Sequence, residues 1–146
     1  NRTLVFTNDD IDKILDYRKD NRNTFAALSL IYPNLDYRNL FHIDHIYPIS
    51  KMNKENLKEV GLNDQEWVSY YRECDSIGNL QLLEGVVNQI KGNQDVDDYL
   101  KTVNDLITYK RTNYIPELSN YTLLNFTEFY STRKQRLKEL FLEILS

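Results

Sequence analysis

The sequence of 146 residues is long enough for one domain with a substantial core, and an apolar fraction of 41% with few prolines (3) and glycines (4) argues against a disordered tail or linker. No run of about 18 apolar residues is present, so no membrane-spanning helix is predicted, and the single cysteine excludes an internal disulfide and a cysteine-rich zinc site and is typical of a reducing cytosol. The net charge of −4 is a weak signal for nucleic-acid binding. Residues 101–146 nevertheless carry seven basic and five acidic groups, so this third of the chain and a metal would neutralise most of the negative charge of a bound polyanion.

Two short helices are predicted at the start of the chain. In "FTNDDIDKILDYRKD", Thr7 or Asn8 is able to cap the helix, and acidic residues fill its first turn. The segment "NTFAALSLIYP" has apolar residues at helical spacing and ends at Pro33, which cannot continue the backbone hydrogen-bond ladder. Both segments are therefore interpreted as short amphipathic helices.

Two segments break this helical pattern. Residues 35–47, "LDYRNLFHIDHIY", and residues 76–85, "SIGNLQLLEG", are predicted to be extended. The result is an α+β fold, mostly α, in which the two extended segments carry the unusual polar residues, and function is expected where a pattern breaks in this way. Further helices are predicted at 50–60, 63–75, 95–112 and 125–145, and "VVNQIKG" at 86–92 is able to turn into a helix.

Both histidines of the chain lie in "FHIDHIYPIS", residues 41–50, on either side of Asp44. A neutral imidazole such as that of His45 accepts a proton near neutral pH, and a carboxylate is a hard oxygen donor suited to Mg²⁺. Because adjacent strand residues point to opposite sides, Asp44 and His45 would flank one phosphate without competing for it. This pair suits phosphodiester hydrolysis, although a carboxylate alone holds a metal weakly and needs a second protein oxygen.

The motif "DHIYP" resembles the first motif of HNH, or His-Me finger, endonucleases, and "IGNLQLLEGVVN" is similar to the second half, with Asn79 followed nine residues later by Asn88. The resemblance implies a helical domain with an embedded ββα-metal hairpin, its core at about 40–48 and 76–93. The wider sequence resembles the C-terminal nuclease domain of GmrSD-type restriction enzymes, which usually follows an N-terminal ParB-like nucleotidase domain.

The resemblance also implies a role for each motif residue. His45 would be the general base, Asp44 the metal-binding carboxylate, and Asn88 the helix-borne metal ligand. Asn79 would be the middle Asn of the catalytic motif, expected to brace the loop rather than bind metal. One Mg²⁺ or Mn²⁺ ion is expected, because Asn in place of His as last ligand favours a hard ion over Zn²⁺.

The roles of the remaining polar residues stay open. His42 would be a third ligand, a phosphate contact or a packed core residue, and phosphate contact or structure is favoured over ligation. Lys91 is either a phosphate contact or a solvated lysine, and the basic run 133–138 is either a phosphate-contacting or a solvated helix face. Cys74 is expected to be structural or inert.

Two functions from different classes are compatible with these observations. The first is a divalent-metal-dependent DNA endonuclease or nickase, contacting the DNA backbone in the bacterial cytoplasm as the effector of a restriction or anti-phage protein. The second is a catalytically idle His-Me finger that binds DNA or a partner domain. The chain also lacks an initiator Met and a signal-peptide layout, which fits a processed or excised piece of a longer protein.

Overall fold

The computed structural model describes residues 5–146, and within them the chain forms eight α-helices around one two-stranded antiparallel sheet. This confirms the predicted α+β, mostly α class. None of the described helices is both long and apolar enough to cross a membrane. The elements are, in chain order, α1 (Asn8–Leu15), α2 (Thr24–Ser29), β1 (Phe41–His45), α3 (Lys54–Glu59), α4 (Asp64–Cys74), β2 (Leu80–Glu84), α5 (Gly85–Lys91), α6 (Val96–Thr102), α7 (Leu106–Thr112) and α8 (Phe126–Leu145).

Reciprocal side-chain caps set the starts of α1 and α4. The Thr7 hydroxyl accepts from the backbone N–H of Asp10, and the Asp10 carboxylate accepts from the Thr7 N–H. Asn63 and Glu66 form the same arrangement at α4. These capping boxes satisfy N–H groups that have no partner within the helix, and of the two caps the sequence allowed for α1, Thr7 is the one used.

The prediction of one helix over residues 95–112 is wrong. The chain leaves the helical conformation at Val103, which is extended, and α7 begins after Asp105, whose side chain accepts from the Thr108 N–H. An aspartate favours the cap position because its carboxylate satisfies a free N–H there, and this local hydrogen bond competes with helix continuation. The apolar spacing on both sides of the break remains helical, which explains why the pattern predicted a single element.

The two strands pair over their whole length although a long helical segment separates them in sequence. Asp44 lies opposite Gln81 and His45 opposite Leu80, and α3 and α4 fill the connection, as the long gap between the motifs indicated. Both strands are shorter than the predicted extended segments: residues 37–38 form a turn before β1, and residues 77–79 form a 3₁₀ turn before β2. Helix α5 follows β2 directly, so the sheet and α5 form one compact ββα unit.

Helix α8 supports this unit by packing into two apolar clusters. Its first half contributes Phe126 and Phe129 to a cluster with α4 and α6, and its second half contributes Leu137 and Phe141 to a cluster with α1, α2 and β2. The 3₁₀ turn before β2 also packs on α8. The broad apolar stripe along this helix is therefore shared by both clusters.

The basic run "RKQRLK" on α8 is used mainly within the fold. Arg133 is fully buried, and its guanidinium donates to the carbonyls of Asn113 and Ile77. Lys138 pairs with Asp12 on α1 at 2.9 Å, and Lys134 pairs with Asp16, the residue after α1, at 3.2 Å. A purely solvated helix face therefore does not describe this run.

We expect Gly78→Ala to destabilise the protein, because an added Cβ would lie 2.6 Å from Cε2 of Tyr130 on α8. Such overpacking of a closed core costs about 1–3 kcal/mol, measurable as the free energy of unfolding in urea. Gly85→Ala is the matched control, since its Cβ would meet no atom closer than 3.3 Å, the distance to Nε2 of the exposed His42 ring. An equal loss of stability in both variants would contradict the close packing of residue 78 on α8.

Candidate active site

The end of β1, helix α5 and the loop after it frame a cavity of about 310 Å³. Asp44, His45 and Asn88 all border it, so side chains separated by more than forty positions in the chain converge on one space. Asp44 and His45 point to opposite sides of the strand, yet both reach the cavity because His45 is the last residue of β1. Lys19, from the segment after α1, lines the same cavity.

The His45 ring is held by a carboxylate that sequence reasoning did not single out. Its Nε2 lies 2.8 Å from Oδ1 of Asp75, and the other oxygen of Asp75 pairs with Arg18 at 3.0 Å. An ionised carboxylate only accepts hydrogen bonds, so the proton of neutral His45 resides on Nε2 and Nδ1 carries the lone pair. Burial lowers the pKa of His45, although the hydrogen bond to Asp75 acts in the opposite direction, and a lowered pKa favours the neutral imidazole.

The two carboxylate oxygens of Asp44 have different surroundings. Oδ2 accepts from Nε2 of Gln81 at 2.9 Å and lies 3.1 Å from Nζ of Lys91. Oδ1 accepts from no described residue, and it is not among the fully buried side-chain atoms without a partner, so it retains access to solvent. One oxygen of this largely buried carboxylate is therefore occupied and the other is available.

Asn88 projects from the second turn of α5. Its side chain makes no hydrogen bond with any described residue, and it is only partly buried at the cavity edge. The amide oxygen is therefore available to a ligand in the cavity. Asp44 and Asn88 form a pair of hard oxygen donors, which suits Mg²⁺ or Mn²⁺ completed by water and phosphate oxygens better than Zn²⁺.

Asn79 lies away from the cavity and is fully buried. Its amide nitrogen donates to the carbonyls of Tyr47 at 3.0 Å and Cys74 at 2.8 Å, and its oxygen accepts from the Tyr47 N–H at 2.9 Å. These hydrogen bonds join the loop after β1 to the end of α4. The geometry agrees with a bracing role.

The structure excludes one of the alternatives left open for His42 and one of those left open for Lys91. The His42 side chain is exposed, beside the first residue of α5, and does not border the cavity, so the core alternative is wrong. Lys91 is only 1% exposed, so the solvated alternative is also wrong. A phosphate contact by Lys91 would require its ion pair with Asp44 to open, and this buried pair takes the place of the expected contact.

The thiol of Cys74 takes no part in the cavity. It is fully buried, its sulfur lies 3.1 Å from the Tyr47 carbonyl oxygen, and burial raises the pKa of the thiol well above its ordinary value. A protonated, enclosed thiol is a poor metal ligand and a poor nucleophile. Among the residues that the structure describes, no group of three or more His, Cys, Asp or Glu side chains is arranged to hold a metal.

Three side chains at or behind the cavity were missed by the sequence reasoning: Lys19, Asp75 and Gln81. The segment containing Lys19 pairs with the residues after α4, where the Lys19 N–H donates to the Asp75 carbonyl. No spacing rule brings these two segments together. Gln81 did leave a signal, because a single polar residue inside the buried run "LQLL" indicates a specific partner.

A two-stranded antiparallel sheet continues into a helix, with an Asp–His pair on the first strand and an Asn on the helix, and this arrangement is consistent with the ββα hairpin that the HNH resemblance implies. A profile of the family described as GmrSD restriction endonucleases, C-terminal domain, matches residues 6–128. The chain therefore belongs to this family of restriction endonucleases, as its motifs predicted. No curated protein matches the chain.

We expect Asn79→Ala to lower the free energy of unfolding by about 2–4 kcal/mol, because it leaves several buried backbone groups without partners. Urea unfolding followed by circular dichroism measures the loss. Asn88→Ala is the matched control and should stay within about 0.5 kcal/mol, since that amide bonds to no described residue. A stable Asn79→Ala protein would argue against the brace.

We expect ¹⁵N NMR at a pH where both imidazoles are neutral to show His45 protonated on Nε2. Asp75→Ala should remove this tautomer preference, because the acceptor that selects it is lost. The chain has two histidines, so His42→Gln assigns the signals. Asp36→Ala, which removes an exposed carboxylate paired with Arg38, should change nothing. An Nδ1-protonated His45 in the parent protein would contradict the arrangement.

Proposed function

We propose that this domain is a divalent-metal-dependent DNA endonuclease or nickase that serves as the effector of a bacterial restriction or anti-phage protein. The observation that carries the proposal is the convergence of Asp44, His45 and Asn88 on one cavity. The set contains a proton acceptor and two hard oxygen donors, as metal-assisted phosphodiester hydrolysis requires. Membership in a family of restriction endonucleases supports the same reaction class.

In this proposal His45 is the general base. Its Nε2–H is engaged by Asp75, so the lone pair of Nδ1 is the one able to take a proton from an attacking water. Asp75 and Arg18 restrain the ring, which is the base-plus-orienting-group arrangement of many hydrolases. Lowering of the His45 pKa by burial keeps the imidazole neutral and able to accept a proton at neutral pH.

Asp44 and Asn88 would hold the metal, through Oδ1 of the carboxylate and the amide oxygen. When bound, Mg²⁺ or Mn²⁺ supplies electrostatic stabilisation of the charge that develops on the leaving oxygen. Asn79 would contribute indirectly, since its hydrogen bonds to Tyr47 fix the backbone immediately after the Asp–His pair. The roles of these residues agree with those that the HNH resemblance implies.

Lys19 is the residue that we assign to a substrate phosphate. Its side chain is exposed, it borders the cavity, and its ammonium makes no ion pair or hydrogen bond with a described residue. Lys91 lacks this freedom, and His42 lies outside the lining of the cavity. A flexible lysine at the mouth of the cavity suits a backbone contact, which positions DNA without reading its sequence.

The choice of DNA target is assigned to another part of the full-length protein. The family is described as a C-terminal domain, which supports a preceding domain, and a ParB-like nucleotidase domain is the one that the resemblance implies. The net charge of −4 also argues against broad electrostatic capture of DNA by this chain alone. The bacterial cytoplasm is the compartment where such an enzyme would meet invading DNA.

We expect the full-length protein to nick or linearise plasmid DNA with Mg²⁺ or Mn²⁺, and His45→Ala to reduce the rate by about 100-fold or more, because the proton acceptor is lost. Gel analysis of the supercoiled, nicked and linear forms of the plasmid measures the rates of nicking and of linearisation. His42→Ala removes the other imidazole of the same strand and is the matched control, expected to keep most of the activity.

Equal cleavage by the parent and His45→Ala proteins would rule out this mechanism. Failure of the full-length protein to cut any DNA, modified or unmodified, while it still binds DNA, would favour the idle binding module instead. A gel-shift measurement on the same preparations distinguishes loss of cleavage from loss of binding.

A further inference from the structure

Lys91 is a buried cation at the candidate metal site for which the mechanism above has no use. Its ammonium lies 3.1 Å from Oδ2 of Asp44, donates to the His45 carbonyl at 2.9 Å, and stands over the Tyr99 ring at 5.6 Å from the centroid. With 1% exposure, it reaches no solvent of consequence. One hydrogen bond, one ion pair and one cation–π contact therefore hold the ammonium against protein groups, and the fold sets its position.

Gln81 fixes the same carboxylate oxygen from the other strand. It lies opposite Asp44 in the sheet and donates to Oδ2 at 2.9 Å, while its own oxygen accepts from the Tyr109 hydroxyl at 2.6 Å. The Tyr109 contact determines which end of the Gln81 amide faces Asp44, because the hydroxyl donates to the oxygen and leaves the NH₂ for the carboxylate. The hydrogen bond from Gln81 and the ion pair with Lys91 thus converge on Oδ2.

We propose that Lys91 is a built-in counter-ion that makes the divalent metal site of the free domain weak and dependent on substrate. Lys91 and Gln81 leave Asp44 one oxygen, so it can bind only as a monodentate ligand, and the ammonium offsets its charge. This inference rests on the proposed function only in taking Asp44 as a metal ligand.

Charge at the cavity supports the inference. Asp44 is the carboxylate that borders it, and Asp75 is engaged by His45 and Arg18. A divalent cation on Asp44 would meet the like charge of Lys91 across a largely buried carboxylate, where screening by water is small. A phosphate of the bound strand adds negative charge and oxygen ligands together, so the metal and DNA should bind cooperatively.

The test is Mn²⁺ binding to the free domain, followed by electron paramagnetic resonance without DNA. Lys91→Gln removes the charge but retains a hydrogen-bond donor, and we expect its Mn²⁺ affinity to be about tenfold higher than that of the parent. Lys134→Gln changes the net charge equally at an ion pair with Asp16, the residue after α1, and should leave the affinity unchanged. Unchanged or weaker binding by Lys91→Gln would overturn the inference.

A second measurement keeps the inference testable if Lys91→Gln does not fold. His45→Ala in the full-length protein is expected to bind metal without cutting, and a short DNA duplex should raise its Mn²⁺ affinity by about tenfold. No change on adding a duplex that binds would overturn substrate dependence. Cleavage is not a readout here, so an inactive enzyme would refute the proposed function while leaving the Lys91 result intact.

Discussion

The register between β1 and β2 is the constraint on which the site depends. It places Gln81 opposite Asp44, and because α5 begins at the next residue after β2, it also carries Asn88 and Lys91 to the other side of the same carboxylate. A shift of one residue would turn Asp44 to the opposite face of the sheet and separate it from all three. The apolar residues of β2 that pack on α8 and α2 prevent such a shift, since slipping would expose them.

The connection between the strands is part of the site as well as a link. Helix α4 ends at Cys74, so Asp75 emerges beside the end of β1, where it meets the His45 ring. Asn79 then ties the carbonyl of Cys74 to the loop after His45, so the base and its carboxylate partner are held by one buried set of hydrogen bonds. A tight hairpin in place of α3 and α4 would deliver neither Asp75 nor this brace. The helical insertion therefore supplies the restraint on the base.

The two buried cations, Lys91 and Arg133, have different kinds of partner. Lys91 pairs with Asp44 at the cavity. Arg133 is instead enclosed beside the turn before β2, with carbonyl oxygens as its partners and one nitrogen, Nη2, unbonded among the described residues. Burial lowers the pKa of Arg133, yet a guanidinium remains charged at any physiological pH. Its two carbonyl contacts join α8 to the end of α7 and to the turn before β2. This arginine therefore connects three elements of the fold. The basic run in which it lies gave no indication of this structural role.

The sequence by itself determined the α+β class, the capped start of α1, the apolar stripe of α8 and the Asp–His and Asn motifs, because caps, periodicity and short motifs are encoded by neighbours along the chain. It did not reveal the break between α6 and α7, since one capping aspartate outweighed a continuous apolar pattern. Only the tertiary structure decided the partners of the site: Asp75 for His45, Gln81 and Lys91 for Asp44, and the open position of Lys19. These contacts join segments about 30 to 50 residues apart. The energy of a hydrogen bond or ion pair depends on how close folding brings the two groups, and a local sequence pattern contains no information about that distance.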